Sequence, residues 1–133
     1  LSLVGSEMCI RDSFDVYGHL DYIARYIPAN SYAYDWHDFD DLINTILKTI
    51  IEKGKGIEIN TAGLKYGMPE PNPCLDIVKM YHNLGGEIIT VGSDAHEVKY
   101  FAYRFDVVAD MLKNAGFNYY TIFNERKPEF IRL

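Results

Sequence analysis

Residues 85–97 read GGEIITVGSDAHE, and this stretch decides the fold class. An apolar run, Ile88–Val91, lies between glycines and has the length of a buried strand. Gly92 follows, and then come the polar side chains of Asp94 and His96. A carboxylate and an imidazole are therefore expected where a buried strand ends.

The same alternation extends along the rest of the chain. Strands are predicted at Val16–Tyr17, in GIEINTAG (56–63), at Glu87–Val91 and in YYTIF (119–123). Apolar residues at helical spacing predict helices at Trp36–Lys53, Cys74–Leu84 and Phe105–Asn114, the first capped by Asp35. Strands that alternate with helices are typical of βαβ units, so the sequence predicts an α/β fold with a parallel sheet.

In a parallel sheet, functional side chains collect at the carboxyl ends of the strands. His19 follows the first predicted strand, and Asp94 and His96 follow the third, so we expect them at one edge. Carboxylate oxygen and imidazole nitrogen suit zinc, manganese or iron. Alternate residues of an extended segment also point the same way. The plainer alternative is a strand-end turn in which Asp94 caps a helix and His96 is solvated.

Composition narrows the class of protein. The chain has 133 residues, a net charge of −6 and ordinary apolar and charged fractions, which indicate one folded domain. The acidic balance argues against a nucleic-acid-binding surface. The two cysteines give neither a disulfide framework nor a metal-binding pattern, so a reducing, cytoplasmic location is expected. No apolar run is long enough to span a membrane.

Three segments resemble motifs of one known family. They are FDVYGHLDYIARY (14–26), IEINTAGLKYG (57–67) and LGGEIITVGSDAH (84–96), and they resemble the PHP (polymerase and histidinol phosphatase) superfamily. The resemblance is strongest to the PHP-type histidinol-phosphatase of histidine biosynthesis. It implies a distorted (β/α)7 barrel whose mouth holds a cluster of up to three divalent metals. It also implies hydrolysis of L-histidinol phosphate to L-histidinol.

The resemblance assigns roles to individual residues. His19, Asp94 and His96 are implied to be metal ligands, and Asp94 and His96 also to be catalytic. Arg25 and Lys65 follow two strand ends, where each could bind the phosphate of the substrate or could be a solvated surface charge. Asn60 is expected either to support a ligand by a hydrogen bond or merely to cap its strand.

The first part of the family pattern does not occur in this chain. The family opens with His-x-His and further His and Glu ligands, and none of these precedes Phe14. Residues 1–13, LSLVGSEMCIRDS, resemble translated sequencing-adapter sequence, although a natural extension is an alternative. We therefore interpret residues 1–13 as a non-native leader and 14–133 as the C-terminal portion of a single PHP domain. On this interpretation the 133-residue chain lacks phosphatase activity by itself.

Two other functions stay open at this point. The chain could belong to another PHP phosphoesterase that acts on nucleotides or nucleic-acid ends, or it could be a non-catalytic PHP-like scaffold. The expected partner is a small-molecule phosphate ester, with no nucleic acid and no membrane. The sequence does not indicate an oligomeric state.

Overall fold

A three-stranded parallel sheet forms the centre of the protein. The structure is a computed structural model that describes residues 13–26 and 35–133. Strands β1 (Val16–Tyr17), β2 (Gly56–Asn60) and β3 (Ile89–Gly92) lie side by side in that order. All pairings are parallel, with Ile57 of β2 opposite Ile89 of β3. The predicted α/β class, with parallel strands alternating with helices, is confirmed.

Each of the three helices buries one apolar stripe in the core. They are α1 (Asp40–Glu52), α2 (Leu75–Asn83) and α3 (Phe105–Ala115). Ile43, Leu47 and Ile50 of α1 recur at helical spacing and are buried. None of the helices in residues 13–26 and 35–133 has the length and apolar character needed to cross a bilayer.

The predicted helix over Trp36–Lys53 starts differently in the structure. A short 3-10 helix, Trp36–Phe39, precedes α1. The Asp35 carboxylate accepts a hydrogen bond from the His37 backbone N–H at 3.0 Å, so the predicted cap is confirmed at the start of this 3-10 helix. The 3-10 turn changes the helical repeat from 3.6 to about three residues. Sequence periodicity alone did not detect that change.

The core lies between the sheet and the helices. Ile57, Ile59 and Ile89 of the sheet have no exposed surface. Fully burying an aliphatic side chain of this size contributes about 1.5–3 kcal/mol, so these positions dominate the stability of the sheet. Tyr81 of α2 is the largest fully buried side chain among the described residues, and its hydroxyl donates to the Ile88 carbonyl at 2.9 Å.

A hairpin at the end of the chain was not predicted. The segment YYTIF was expected to be the last strand, but β4 (Tyr119–Asn124) is followed by β5 (Lys127–Arg132), which pairs with it antiparallel. Glu125 and Arg126 connect the strands with φ of 49° and 63°, the left-handed conformation of a two-residue hairpin turn. Because this turn lacks the usual Asn-Gly or Asp-Gly signal, a fifth strand was not predicted from the sequence.

The turn of this hairpin contacts the residues that precede β1. Arg126 donates from Nε and Nη2 to the two oxygens of Asp15, at 2.8 and 2.9 Å. Its Nη2 also donates to the Ser13 carbonyl at 2.9 Å. The hydrogen bond from Arg126 lowers the pKa of Asp15. We call this arrangement the Arg126 clasp, and it joins the two ends of the described fold.

Candidate active site at the carboxyl edge of the sheet

Loops that follow the three parallel strands meet at one edge of the sheet. His19 lies two residues after β1, and Asp94 lies two residues after β3. Lys65, which follows β2, donates from Nζ to the Asp94 backbone carbonyl at 3.4 Å. The strand directions therefore bring all three loops to the same side, as the sequence indicates.

The side chains of Asp94 and His96 are spaced like two ligands of one metal ion. The distance from Asp94 Oδ1 to His96 Nε2 is 3.3 Å, and the side chains are 43% and 82% exposed. Two ligands that each lie about 2.0–2.2 Å from zinc at a tetrahedral angle are roughly 3.4 Å apart. The observed spacing therefore fits two adjacent positions around one divalent cation.

The ring of His19 contacts Tyr22. The rings of His19 and Tyr22 lie 4.4 Å apart between centroids. A hydrogen bond with Tyr26 is the main cause that raises the pKa of Tyr22, and the Asp94 carboxylate adds to the rise. In residues 13–26 and 35–133 no three His, Cys, Asp or Glu side chains converge closely enough to enclose a metal ion. The described residues thus fit part of a divalent-metal site, with Asp94 and His96 as its closest pair.

Backbone conformation is unusual at this edge. His19, Asp21 and Asp94 have φ of 31°, 47° and 46°, in the left-handed region. Asp and His enter this region more readily than most residues, but each such position still costs on the order of 1 kcal/mol or more. Strained residues of this kind cluster at functional sites, because the surrounding structure holds their side chains in fixed directions.

Arg25 and Lys65 lie beside the predicted ligands. Arg25 Nη1 donates to the Tyr22 hydroxyl at 3.0 Å, and the Tyr22 ring contacts that of His19 in a tilted arrangement. Lys65 is linked to the loop of Asp94 by the hydrogen bond described above. Both predicted substrate-binding cations are therefore at the carboxyl edge of the sheet.

Asn60 is buried and its side chain bonds locally. Oδ1 accepts from the Ala62 backbone N–H at 2.9 Å, and Nδ2 donates to Glu58 Oε2 at 3.2 Å. Its backbone pairs in both directions with Asn72, at 2.7 and 3.0 Å. These contacts fix the end of β2, which agrees with the capping alternative, and none of them reaches His19, Asp94 or His96.

Glu58 is a residue at this edge that sequence reasoning did not single out. An added Cβ at Gly92 would be 2.2 Å from Glu58 Oε1, and one at Gly18 would be 3.4 Å from Oε2. The carboxylate thus occupies the space above the two glycines next to the His19 and Asp94 loops. The sequence contains one signal for the position of Glu58. It alternates with the buried Ile57 and Ile59, and a glycine stands at the end of each neighbouring strand.

Asp21 connects the His19 loop to the segment that follows β2. Its Oδ1 accepts from Asn72 Nδ2 at 2.9 Å. Burial is the main cause that raises the pKa of Asp21 to about 6, and the nearby charge of Glu70 also raises it, while the Asn72 hydrogen bond opposes the rise. The carboxyl therefore takes up a proton more readily in the folded protein than in the unfolded chain.

This shift predicts how stability depends on pH. The pKa of Asp21 in the folded protein exceeds its ordinary value. Its stabilising contribution to the free energy of unfolding is therefore fully present below about pH 4 and is lost as pH rises through about 6. From the pKa of about 6, we expect the free energy of unfolding of the wild type to rise, relative to Asp21→Asn, by on the order of 2 kcal/mol between about pH 7 and pH 4. Urea denaturation of both proteins across this range measures the difference, and parallel curves would contradict the prediction.

Comparison with known proteins identifies the relatives of this chain. Residues 4–62 match the PHP domain family. A protein from Thermotoga maritima named "Probable histidinol-phosphatase" is 42% identical over 113 residues, which are 84% of this chain and 46% of that protein. A histidinol-phosphatase from Lactococcus lactis is 29% identical over 117 residues, which are 87% of this chain and 43% of that protein.

The resemblance to PHP-type histidinol-phosphatases is confirmed. The crystal structure of the histidinol phosphate phosphatase from Lactococcus lactis, complexed with zinc, L-histidinol and phosphate, has a TM-score of 0.70 and 26% identity to this chain. The match covers 89% of this chain and 44% of that phosphatase. The chain thus spans slightly less than half the length of the phosphatases that it matches.

Proposed function

We propose that this chain supplies part of the active site of a divalent-metal-dependent phosphatase that hydrolyses L-histidinol phosphate to L-histidinol and phosphate in histidine biosynthesis. The 3.3 Å spacing between Asp94 Oδ1 and His96 Nε2 is the observation that carries the proposal. It suits a shared cation of the zinc, manganese or iron class, and two cationic side chains lie beside it. The zinc, L-histidinol and phosphate bound to the Lactococcus lactis phosphatase support the same assignment.

Each side chain has a role in the proposed reaction. When bound, the divalent cations supply Lewis acidity, which neutralises phosphoryl charge and makes hydroxide available near neutral pH. His19, Asp94 and His96 are proposed to hold these cations. Asp94 also accepts the proton of the attacking water, and His96 takes part as a neutral imidazole, because a cation and a proton cannot share its Nε2 atom. A histidine or carboxylic acid near the leaving alkoxide returns a proton to it.

Arg25 and Lys65 are proposed to bind the phosphoryl oxygens. The planar guanidinium of Arg25 can donate two parallel hydrogen bonds to one phosphoryl group, whereas the ammonium of Lys65 acts as a point charge. The hydrogen bond from Arg25 to Tyr22 keeps the guanidinium near His19. Holding the phosphate beside the nucleophile contributes to the rate by orientation.

The test uses a chimera, because the chain spans less than half of its relatives. The matching segment of the Thermotoga maritima protein is replaced by the corresponding residues of this chain. We expect the chimera to hydrolyse L-histidinol phosphate when manganese or zinc is added, and to lose that activity when a chelator removes the metal. The unaltered Thermotoga maritima protein is the control for folding and assay conditions.

Three results would contradict this proposal. Activity that survives exhaustive chelation would exclude the metal-dependent mechanism. A panel of phosphate esters in which L-histidinol phosphate ranks among the poorest substrates would instead favour a phosphoesterase for nucleotides or nucleic-acid ends. A folded, metal-loaded chimera that hydrolyses nothing would favour the non-catalytic scaffold.

Other expectations from the sequence stay predictions. A small-molecule phosphate ester as partner follows from the proposed reaction, and the absence of a nucleic-acid partner rests on the acidic net charge of −6. The cytoplasmic location rests on cysteine usage; Cys74 is a free thiol in the structure, and Cys9 lies outside the described residues. The division into residues 1–13 and 14–133 also stays a prediction.

A further inference from the structure

Two cationic side chains share one aromatic ring at the edge of the site. The Arg25 guanidinium carbon lies 4.1 Å from the centroid of the Tyr66 ring, and Lys65 Nζ lies 5.2 Å from the same centroid. Tyr66 belongs to a short 3-10 helix, Ala62–Tyr66, that directly follows β2, and it is 62% exposed. The ring is thus a common neighbour of both predicted substrate-binding residues.

This arrangement makes Tyr66 the neighbour of two like charges. In the described part of the chain neither Arg25 nor Lys65 forms an ion pair with a carboxylate. The face of a tyrosine ring carries partial negative charge and attracts a cation within about 6 Å of its centre. Tyr66 therefore offsets part of the repulsion between the two cations. The N–H groups of Arg25 and Lys65 that do not donate to Tyr22 or to the Asp94 carbonyl stay available to an anion.

Each cation has a further contact besides Tyr66. The Tyr22 hydroxyl accepts from Arg25 at 3.0 Å, and the ring of Tyr100 lies 5.1 Å from Lys65 Nζ. Both cations consequently have restricted positions before any ligand arrives. Restricting a side chain in its binding position lowers the entropy cost of binding.

We propose that Tyr66 is a positioning residue that holds Arg25 and Lys65 together as one binding site for a phosphate dianion. The proposal rests on the proposed function for its location, but it concerns binding of the anion and not hydrolysis. The ring does not touch the phosphate in this arrangement; it acts through the two cations. Its aromatic face, and not its hydroxyl, is the part that matters.

The experiment measures the binding of inorganic phosphate to the 133-residue chain by isothermal titration calorimetry, with a chelator present so that metal plays no part. Tyr66→Leu removes the ring and Tyr66→Phe keeps it. Loss of two exposed cation–π contacts is expected to weaken phosphate binding about five- to thirtyfold in Tyr66→Leu. Tyr66→Phe is expected to restore binding to within about twofold of the wild type.

The control variant is Tyr119→Leu, which removes another exposed tyrosine from strand β4 and is expected to bind phosphate as the wild type does. Thermal melts of all variants verify that the fold is kept. Equal affinities for wild type and Tyr66→Leu, equal weakening in Tyr66→Phe and Tyr66→Leu, or no phosphate binding by the folded wild type would each overturn the proposal.

This experiment separates the inference from the proposed function. Ring-dependent phosphate binding in a protein whose chimera does not hydrolyse L-histidinol phosphate would support the inference and refute the proposed reaction. In an active chimera, Tyr66→Leu is expected to raise KM with little change in kcat, because Arg25 and Lys65 hold the phosphate in both the ground state and the transition state. A fall in kcat at unchanged KM would contradict positioning of the bound anion.

Discussion

Replacement of Asp94 by asparagine in the chimera is expected to lower kcat for L-histidinol phosphate by at least about a hundredfold. The two side chains have nearly the same shape, so the 3.3 Å approach to His96 can be kept. The amide, however, carries no negative charge, is a weaker ligand for a divalent cation and does not accept a proton from water. The substitution therefore removes the proposed chemistry and leaves the packing in place.

Zinc content provides a second measurement for this variant. We expect the chimera with Asp94→Asn to retain less zinc after dialysis than the chimera with Asp106→Asn, which changes an exposed carboxylate on α3 in the same way. The Asp106 variant is expected to keep both its zinc and its activity. An active Asp94→Asn variant with full zinc content would exclude Asp94 from the ligand set and from catalysis.

Replacement of Gly86 by alanine is expected to destabilise the protein by about 3 kcal/mol or more. An added Cβ would be 2.3 Å from the Tyr81 ring, closer than any real contact. The ring has no room to move, because Tyr81 is fully buried and its hydroxyl donates to the Ile88 carbonyl at 2.9 Å. Relief of the overlap would break that buried hydrogen bond. Urea denaturation measures the loss.

The neighbouring glycine provides a matched control. A Cβ at Gly85 would meet no atom within 4 Å, although its φ of +92° makes any side chain strained. Gly85→Ala is therefore expected to cost only about 1–2 kcal/mol. In a Tyr81→Leu background, Gly86→Ala is expected to cost at least about 1 kcal/mol less than in the wild type, because the smaller side chain leaves space. Equal costs in the two backgrounds would show that the Tyr81 ring is not the obstacle.

Local pattern predicts most of the sheet and the edge on which the site lies. The apolar run before Gly92 predicts the strand, and the polar residues after Gly92 place Asp94 and His96 at its carboxyl end. The helices between the strands predict parallel pairing. Parallel pairing in turn places His19, which follows β1, at the same edge of the sheet. These features could be predicted because they depend on the spacing of apolar and polar residues over short segments, which is visible in a single sequence.

Features that depend on contacts between distant segments could not be predicted. Strand β5 contains Pro128 and several charged residues, so only its pairing with β4 identifies it as a strand. The alternation of Glu58 with Ile57 and Ile59 indicates only which face of the strand it lies on, and its closeness to Gly18 and Gly92 is visible only in the folded protein. Tyr66 likewise resembles any exposed tyrosine until Arg25 is placed over its ring.

The Arg126 clasp affects the rate at which the protein unfolds. Asp15 and Arg126 are separated by 111 positions, so their contact closes a loop that includes most of the chain. Contacts between such distant residues carry a large loop-closure entropy and tend to form late in folding. An interaction that is absent from the transition state changes the unfolding rate and leaves the folding rate almost unchanged. The clasp therefore slows unfolding and lengthens the lifetime of the native state, and it does not accelerate folding.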